Sequence, residues 1–551
     1  MTKDDQNTAP VDQVEDVQPA HANHRRDAAA ELLGKSGTSP EHRIIVSPAD
    51  SDRILRRIDL YILPLMLGVY FLQGIDKSTL AYASVFGLIE DTNLVGDQFS
   101  WLGSIVYLAQ LVMQFPLAWL LVKLPIGKFT GCMVACWGIT LSTMAAAHNF
   151  GGLMAARAFL GAFEASVPPA FVAITQMWWR RREQTLRISY WYAMNGFTNM
   201  IIFLFFGIIT VAFSVLMFFF MPDSPVEAKF LNDEDKVMAV ERLRMNQQGV
   251  MSREWRWDHL WECLRDPKTW IWFTLIFSIS SVTHPNPDSS SHLTPVASVP
   301  SGGISTFGPL IIKSFGFDSF QTILFNIPFG AVQLVATIGG SWIATRIHKK
   351  GPVIAALCLP PIAGCIMLMV LPTTASQRAA RLAGYYLISV YPGISPLIYS
   401  WSAANTAGDT KRKCTSAALF VGQSVGNVVG PLLYKPAEAP RYSRGLRSNL
   451  ALYCVIIVLV GLASAYLAWL NRSHSRRRVA MGKSAVIVDT SLFSAAEAEK
   501  MRRAGRPPPA GADGHEMAEA GEDAAAAQEN VGSRAFENLT DLENEEFVFV
   551  F

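Results

Sequence analysis

Charged residues and cysteines are both scarce in this sequence. Only 17% of its 551 residues are charged and 7 are cysteine, whereas 50% belong to the hydrophobic set. Soluble domains carry about 25% charged residues, so the composition argues against a soluble enzyme. The formal net charge is +2, and the basic residues do not form one continuous stripe. The sequence therefore gives no support to nucleic-acid binding.

The motifs of enzymes and metal sites are also missing. There is no glycine-rich phosphate loop, no Ser/His/Asp constellation and no HExxH sequence. Most cysteines lie inside hydrophobic blocks, as small core residues do. Cys132 and Cys136 share a helix face, but no histidine or carboxylate stands near them in the sequence, which disfavours a metal site. We predict no catalytic residue, no metal and no cofactor.

Long apolar blocks are what the sequence has in abundance. They run for roughly 18 to 25 residues, which is enough for a helix to cross a bilayer, and short polar joints separate them. A longer polar stretch from Pro222 to Lys268 divides the blocks into two sets. We predict an all-α membrane protein with a disordered N-terminal tail (1–57), a first transmembrane bundle (58–221), a central linker (222–267), a second transmembrane bundle (268–470) and a C-terminal tail (471–551).

The placement of lysine and arginine predicts the orientation of the chain, because cytoplasmic joints retain an excess of these residues. Every second joint is basic, and so is the linker, while the joints between them are acidic or neutral. The joint before the last block, with Arg441 and Arg444, breaks the pattern. We predict an even number of crossings with both termini in the cytoplasm. The basic clusters are at Arg53, Arg56 and Arg57, at Lys123 and Lys128, at Arg180, Arg181 and Arg182, at Arg346, Lys349 and Lys350, at Lys411, Arg412 and Lys413, and at Arg476, Arg477 and Arg478.

Two blocks do not fit a regular count of crossings. Residues 185–221 are too long for one crossing and too short for two, even with the turn signal at Asn195 and Gly196, so helices 5 and 6 are shortened. Residues 283–299 interrupt helix 7 with prolines and serines, and bare backbone of that kind is not tolerated in lipid. We hypothesise that an imperfect gene model lost a coding piece near Met200 and translated an intron at 283–299. A genuine extracellular loop is the alternative for the second segment.

Arg157 and Glu164 are charged residues inside the apolar fourth block. They stand seven residues apart, which is two helical turns, so both project from one face, and Gly161 between them leaves room for another helix or a ligand. A charge near the bilayer centre costs about 2.5 to 3.5 kcal/mol, and such residues usually face a cavity or each other. One hypothesis is that Arg157 binds a substrate carboxylate and Glu164 takes and releases a proton. The alternative is a buried ion pair that fixes helix packing.

Asp76 and Lys77 are a second charged pair, near the end of the first block. Adjacent residues on a helix point about 100° apart, so one can face a central cavity while the other pairs with a neighbouring helix. The alternative is that both lie at the outer membrane boundary, where charges are tolerated.

A glycine stripe lies at Gly422, Gly426 and Gly430 in the second set of blocks. Small residues at this spacing let two helices pack closely or slide past each other. The pattern leaves open whether the stripe serves packing or gating.

Several stretches of the chain resemble a known family. The resemblance covers most of residues 50 to 551 and is carried by RRIDLYILPLMLGVYFLQGIDKSTLAYASVFGL, RAFLGAFEASVPPA, FMPDSPVEAKFLNDEDK, WSAANTAGDTKRK and FENLTDLENEEFVFVF. The chain resembles the major facilitator superfamily and, within it, the fungal allantoate permease branch of the anion:cation symporters. The resemblance implies the major facilitator fold, with twelve helices in two six-helix bundles. It also implies a monomer in the plasma membrane that takes up small organic anions with protons by alternating access.

The resemblance also implies roles for individual residues. Asp76 and Glu164 match the protonatable acids of the family, and Arg157 matches its substrate-binding arginine. Lys77 stands where relatives often have arginine, so the positive charge is kept but the bidentate fork is lost.

We predict a proton-driven symporter whose substrate is a carboxylate-bearing, nitrogen-containing solute such as allantoate, a ureido acid, a short peptide or a vitamin-like carboxylate. Its partners are this anion, the proton and the lipid bilayer. A non-transporting nutrient receptor, or a defective relative, is the alternative from another class. A drug antiporter is disfavoured because the fifth block has no glycine-proline stripe.

Overall fold

The computed structural model describes the membrane core of the chain, the linker helices and the extreme C-terminus. Within the described part, the regular secondary structure is helical. The described residues are 46–85, 98–144, 149–200, 206–228, 230–243, 254–280, 325–372, 374–429, 443–483 and 537–551, with a few single residues between these ranges.

The described residues of the first half form seven helices. The fourth and fifth helices together form one membrane crossing that is interrupted after Ser166. The interruption lies at a proline in the first turn of the fifth helix, because proline cannot donate a backbone hydrogen bond. The helices are α1 (Pro48–Val85), α2 (Gln98–Lys123), α3 (Ile126–Met144), α4 (Phe150–Glu164), α5 (Val167–Trp178), α6 (Arg181–Met200) and α7 (Phe206–Phe220).

Two linker helices and the second half follow. Asn232 caps the first linker helix, since its side chain accepts a hydrogen bond of 2.8 Å from the amide of Asp235. The linker helices are α8 (Asp233–Glu241) and α9 (Trp257–Arg265); the second half contains α10 (Pro267–Ser280), α11 (Asn326–Ile347), α12 (Gly351–Val370), α13 (Arg378–Ile388), α14 (Ile394–Ala404), α15 (Asp409–Val429) and α16 (Ser443–Ala480).

Among the described residues, six helical spans are long and apolar enough to cross a bilayer, which confirms the all-α membrane fold. Their outer surfaces carry large exposed side chains such as Phe115, Val335 and Val370, as expected where helices face lipid. The spans are Pro48–Asp76, Trp101–Lys123, Phe150–Trp178, Ile327–Ile347, Gly351–Val370 and Leu446–Ala480.

In the described structure, the two halves meet mainly along two pairs of helices. Helix α6 packs on α11, and α2 packs on α15. The hydroxyl groups of Ser189 and Ser341 hydrogen-bond across the first pair, and the Ser104 hydroxyl donates a hydrogen bond of 3.2 Å to the Val428 carbonyl across the second. The centre of the molecule is therefore enclosed by helices from both halves.

The segment 185–221 forms parts of two helices, and the turn signal at Asn195 and Gly196 does not end the first of them. Helix α6 continues through both residues to Met200. A Cβ atom on Gly196 would lie 2.9 Å from the carbonyl oxygen of Gly330 on α11, so this glycine is explained by close helix approach. Helix α7 is described from Phe206 to Phe220, directly after residues outside the described part, so its length does not test the predicted shortening.

Three features of the sequence lie outside the described residues. They are the joint between α6 and α7, the interruption at 283–299 and Gly430 of the glycine stripe. Within the stripe, a Cβ atom on Gly422 would lie 3.0 Å from the backbone oxygen of Phe273, so close packing on α10 accounts for that glycine.

Gly161 brings α4 against α2. A Cβ atom at this position would collide with the carbonyl oxygen of Val106 and lie 2.8 Å from its Cα atom. The space beside Gly161 is therefore filled by a helix backbone. Because both contacts are backbone atoms, no side chain can move aside to admit a methyl group.

Gly161→Ala should destabilise the protein by about 1–3 kcal/mol, the usual cost of overpacking. The matched control is Gly461→Ala on α16, where no described atom lies within 4 Å of a new Cβ atom. That change should be neutral or stabilising by about 0.5–1 kcal/mol. Thermal unfolding of both purified variants in one detergent checks the prediction. Equal stabilities of the two variants would contradict it.

The basic clusters gather on one face of the bundle, here called the basic face. Linker helix α8 packs there, since Asp235 pairs with Arg53 at 2.9 Å and with Arg57 at 2.5 Å. The final residues of the predicted C-terminal tail, 537–551, also lie on this face and contact the ends of helices from both halves.

Candidate functional site

Three of the four predicted site residues come together inside the first half. Asp76 lies on α1, while Arg157 and Glu164 lie on α4, and their exposed fractions are 2%, 5% and 0%. The side chain of Lys77 lies outside the described part of the structure. Asp76 is thus enclosed by protein on all sides.

Arg157 is the positive centre of this cluster. Its Nε donates a hydrogen bond of 2.8 Å to the carbonyl oxygen of Leu102 on α2, which fixes the side chain across the gap between helices. The guanidinium has attractive electrostatic interactions with Asp76, Tyr107 and Glu164. One cation thus faces two acidic groups from different helices.

Each acid is also held by a polar side chain of a neighbouring helix. The indole Nε1 of Trp137 on α3 donates to Oδ2 of Asp76 at 3.0 Å. The amide nitrogen of Gln110 on α2 donates to Oε2 of Glu164 at 3.1 Å. These two hydrogen bonds tie the acids to α2 and α3 and fix the positions of their carboxyl groups.

Polar side chains of the second half approach the same region, and the sequence reasoning missed them. The Tyr192 ring lies 5.7 Å from the Tyr70 ring and 6.4 Å from the Tyr399 ring of α14. The Tyr399 hydroxyl donates to Oε1 of Gln423 on α15 at 2.7 Å. Tyr70 also hydrogen-bonds Asn195. A chain of aromatic and amide groups therefore links the two halves.

Two buried glutamines belong to the same polar interior. Gln73 lies one turn before Asp76 on α1 and is 1% exposed, and neither amide atom hydrogen-bonds any described residue. Gln114 lies one turn beyond Gln110 on α2, is 2% exposed, and its side-chain oxygen makes no hydrogen bond with the described residues. Buried amides are normally satisfied, so these groups suit a polar ligand or water. Glutamine within an apolar block was the available signal.

The side chains of Asp258, His259 and Glu543 form a possible metal cluster at the basic face, with ligand atoms within 4.8 Å of one another. The residues do not fit a metal well, because the Arg256 guanidinium forms an ion pair with the Asp258 carboxylate and places a positive charge at the site. Burial, together with the charge of Arg256, lowers the pKa of His259 to about 4. We assign no metal to this cluster.

A charged and polar centre enclosed by membrane-crossing helices defines a membrane transport protein, because such residues are costly in lipid unless they face a solute pathway. A family model described as Major Facilitator Superfamily matches residues 66–431. The chain belongs to the Major Facilitator Superfamily.

Relatives and a solved structure agree with this membership. The uncharacterized transporter C757.13 of Schizosaccharomyces pombe is 32% identical over 450 residues, which cover 78% of this chain and 82% of the relative. The allantoate permease of Saccharomyces cerevisiae is 30% identical over 470 residues, which cover 79% and 82%. The thiamine pathway transporter THI73 of the same yeast is 31% identical over 450 residues, which cover 78% and 81%. The human organic anion transporter MFSD10 shares the fold, with a TM-score of 0.50 at 13% identity over 74% of this chain and 99% of that structure.

Proposed function

We propose that the chain is a proton-coupled symporter of a small organic anion of the anion:cation symporter type. The observation that carries the proposal is the buried arginine between two carboxyl groups, Arg157 with Asp76 and Glu164. A guanidinium binds a carboxylate in a bidentate manner, and neighbouring acids supply proton-accepting groups. We assign substrate binding to Arg157 and Lys77, and proton coupling to Glu164 and Asp76.

Coupling follows from the charges in the cluster. A substrate anion beside Arg157 adds a third negative charge to two acids, which favours protonation of one of them. By linkage, protonation favours anion binding to the same degree. Each net positive charge that moves inward gains about 2.3 kcal/mol per 100 mV of membrane potential. The proton can therefore drive the anion against its own gradient.

The substrate we propose is a nitrogen-containing carboxylate: allantoate, a ureido acid, a short peptide or a vitamin-like carboxylate. The name of one relative, an allantoate permease, supports this class. So do Gln73 and Gln114, because amide side chains offer donors and acceptors to a ureido or peptide group. Growth on a panel of sole nitrogen sources, with and without the gene, tests the substrate class.

We further propose a monomer in the plasma membrane, with the basic face and both termini in the cytoplasm. The gathering of the basic helix ends on one face supports this orientation. The division at 58–221, 222–267 and 268–470 belongs to the same proposal.

Glu164→Gln should preserve exchange of substrate across the membrane and abolish accumulation driven by a pH gradient, because the amide keeps the shape of the side chain but carries no proton. Uptake and exchange in proteoliposomes with and without an imposed gradient measure this. The matched control is Asp233→Asn on α8, whose side chain is 98% exposed and which should accumulate substrate normally. Undiminished accumulation in the Glu164 variant would show that another group carries the proton.

A non-transporting nutrient receptor, or a defective relative, is the alternative to transport. Surface localisation together with labelled uptake separates the candidates, since a receptor reaches the membrane and takes up nothing.

A further inference from the structure

The C-terminal segment, residues 537–551, fills a peptide-binding site on the basic face. Two asparagines hold its backbone: Asn471 of α16 makes hydrogen bonds of 2.8 and 2.9 Å with the backbone of Phe549, and Asn405 makes bonds of 2.9 and 2.8 Å with Val550. The indole of Trp401 adds a bond of 2.9 Å to the Val550 carbonyl. Paired donors and acceptors of this kind fix the register of an extended peptide.

The segment also places a carboxylate at the centre of a buried ion cluster. Asp541 is fully buried and pairs with Lys268 at the start of α10 and, at 3.1 Å, with Lys411 of α15. Next to it, the Thr540 hydroxyl donates to Glu262 of linker helix α9 at 2.9 Å. Two helices of the second half and the linker are therefore joined through one short peptide.

Arg181 brings the first half into the same contact. This first residue of α6 donates a hydrogen bond of 3.2 Å to the Val548 carbonyl, and its guanidinium lies 4.4 Å from the centroid of the Phe547 ring. Phe547 is fully buried. Its burial and the Arg181 contact both depend on the halves staying together at this face.

The neighbouring contact between the halves lies at the end of α14. The amide of Gln176 on α5 donates to the Ala403 carbonyl at 3.1 Å. Asn405, two residues further, holds the C-terminal segment. The segment therefore binds the end of α14, where the first half contacts the second.

We propose that the C-terminal segment is a latch that holds the basic face closed and must leave its site before the two halves separate there. The latch rests on the alternating access of the proposed function, but not on its substrate or its proton coupling. Undocking removes the bridge from Arg181 to the second half and shifts the population toward a state open at the basic face. A cysteine-labelling readout needs no substrate, so its failure is distinguishable from failure of the transport proposal.

The first test uses the full chain in nanodiscs with a reporter thiol, Ala403→Cys, at a position that is 4% exposed. Labelling by a hydrophilic thiol reagent is read at each cysteine by mass spectrometry. Arg181→Gln should raise labelling at position 403 by about tenfold, the change expected from loss of one or two net hydrogen bonds. Lys236→Gln, which breaks an exposed ion pair with Asp233 within α8 and removes no residue that pairs with the segment, is the matched control and should leave labelling unchanged.

Native Cys358, buried in α12, serves as the internal reference for unfolding. Unchanged labelling at position 403 in the Arg181 variant, or a parallel rise at Cys358, would overturn the latch.

The second test restores the latch from outside. A chain that ends at residue 536 should show the raised labelling at position 403, and a synthetic peptide of residues 537–551 should reverse it. The peptide with Asp541→Asn should reverse the labelling only at a concentration at least about tenfold higher, since it lacks the charge that pairs with Lys268 and Lys411. Equal potency of both peptides, or no protection by either, would overturn the proposal.

Discussion

Arg157→Ala should abolish saturable uptake. The guanidinium is the buried cation that faces Asp76 and Glu164, and it is the group we assign to the substrate carboxylate. A hydrogen bond to a charged group contributes about 1.5–3 kcal/mol, so loss of a two-bond contact weakens binding by about 100-fold or more. Labelled uptake at a fixed proton gradient measures the effect, once the variant is shown to reach the membrane.

Arg157→Lys is the informative control for that change. Lysine keeps the positive charge beside the two acids but has no planar fork, so it should retain part of the uptake with a raised KM. A merely structural arginine would give a different pattern, in which both variants lose folded protein and the remaining protein has normal KM. Wild-type uptake in the alanine variant would contradict the assignment of Arg157.

Asp541→Asn should produce the largest loss of stability among changes outside the membrane core. Removing one partner of a buried ion pair costs about 3–5 kcal/mol, because the other charges stay buried. Here the remaining charges include the ammonium groups of Lys268 and Lys411. Asp266 and Glu262 still pair with these groups, so the cost should lie near the lower end of that range. Lys483→Gln, at a partly exposed pair with Glu545, should cost about 0–1 kcal/mol. Thermal unfolding of both variants in one detergent provides the comparison.

The stabilising effect of Asp541 should also depend on pH. Burial alone would raise the pKa of this carboxyl, but Lys268 and Lys411 outweigh burial and hold the pKa at about 2. The ordinary value is about 3.9, so the stabilisation is fully present above about pH 4 and is lost as the pH falls toward 2. The Tm difference between the wild type and Asp541→Asn should be constant above about pH 5 and shrink below pH 4. A difference independent of pH would contradict the charged pairing.

The charged part of the candidate site was predictable from sequence. Charges inside apolar blocks are costly, which singled out Asp76, Arg157 and Glu164, and a spacing of seven placed the last two on one helix face. The aromatic and amide part was missed. Tyr399 and Gln423 carry no charge whose burial in lipid would single them out, and tyrosine in a membrane helix is usually a packing residue. Only the packing of α14 and α15 shows that they approach the same region.

The irregular segment shows where local signals fail. Asn195 and Gly196 are a common turn pair, and two crossings in this segment would have required a helix to end there. Helix α6 continues because Gly196 is needed for contact with the backbone of Gly330 on α11. That contact joins residues distant in sequence, and a single-sequence pattern contains no information on it.

The sequence by itself determined that the chain is an all-α membrane protein in two halves, that Lys and Arg mark one face, and which charged residues occupy its interior. These properties follow from the hydropathy and charge of each residue, and the free energy of placing a residue in lipid depends mainly on that residue itself. The tertiary structure decided which helices approach closely at Gly161 and Gly196, and that 537–551 docks on the basic face. Those outcomes depend on contacts between distant segments, because the segment binds only where the ends of α10, α14, α15 and α16 come together.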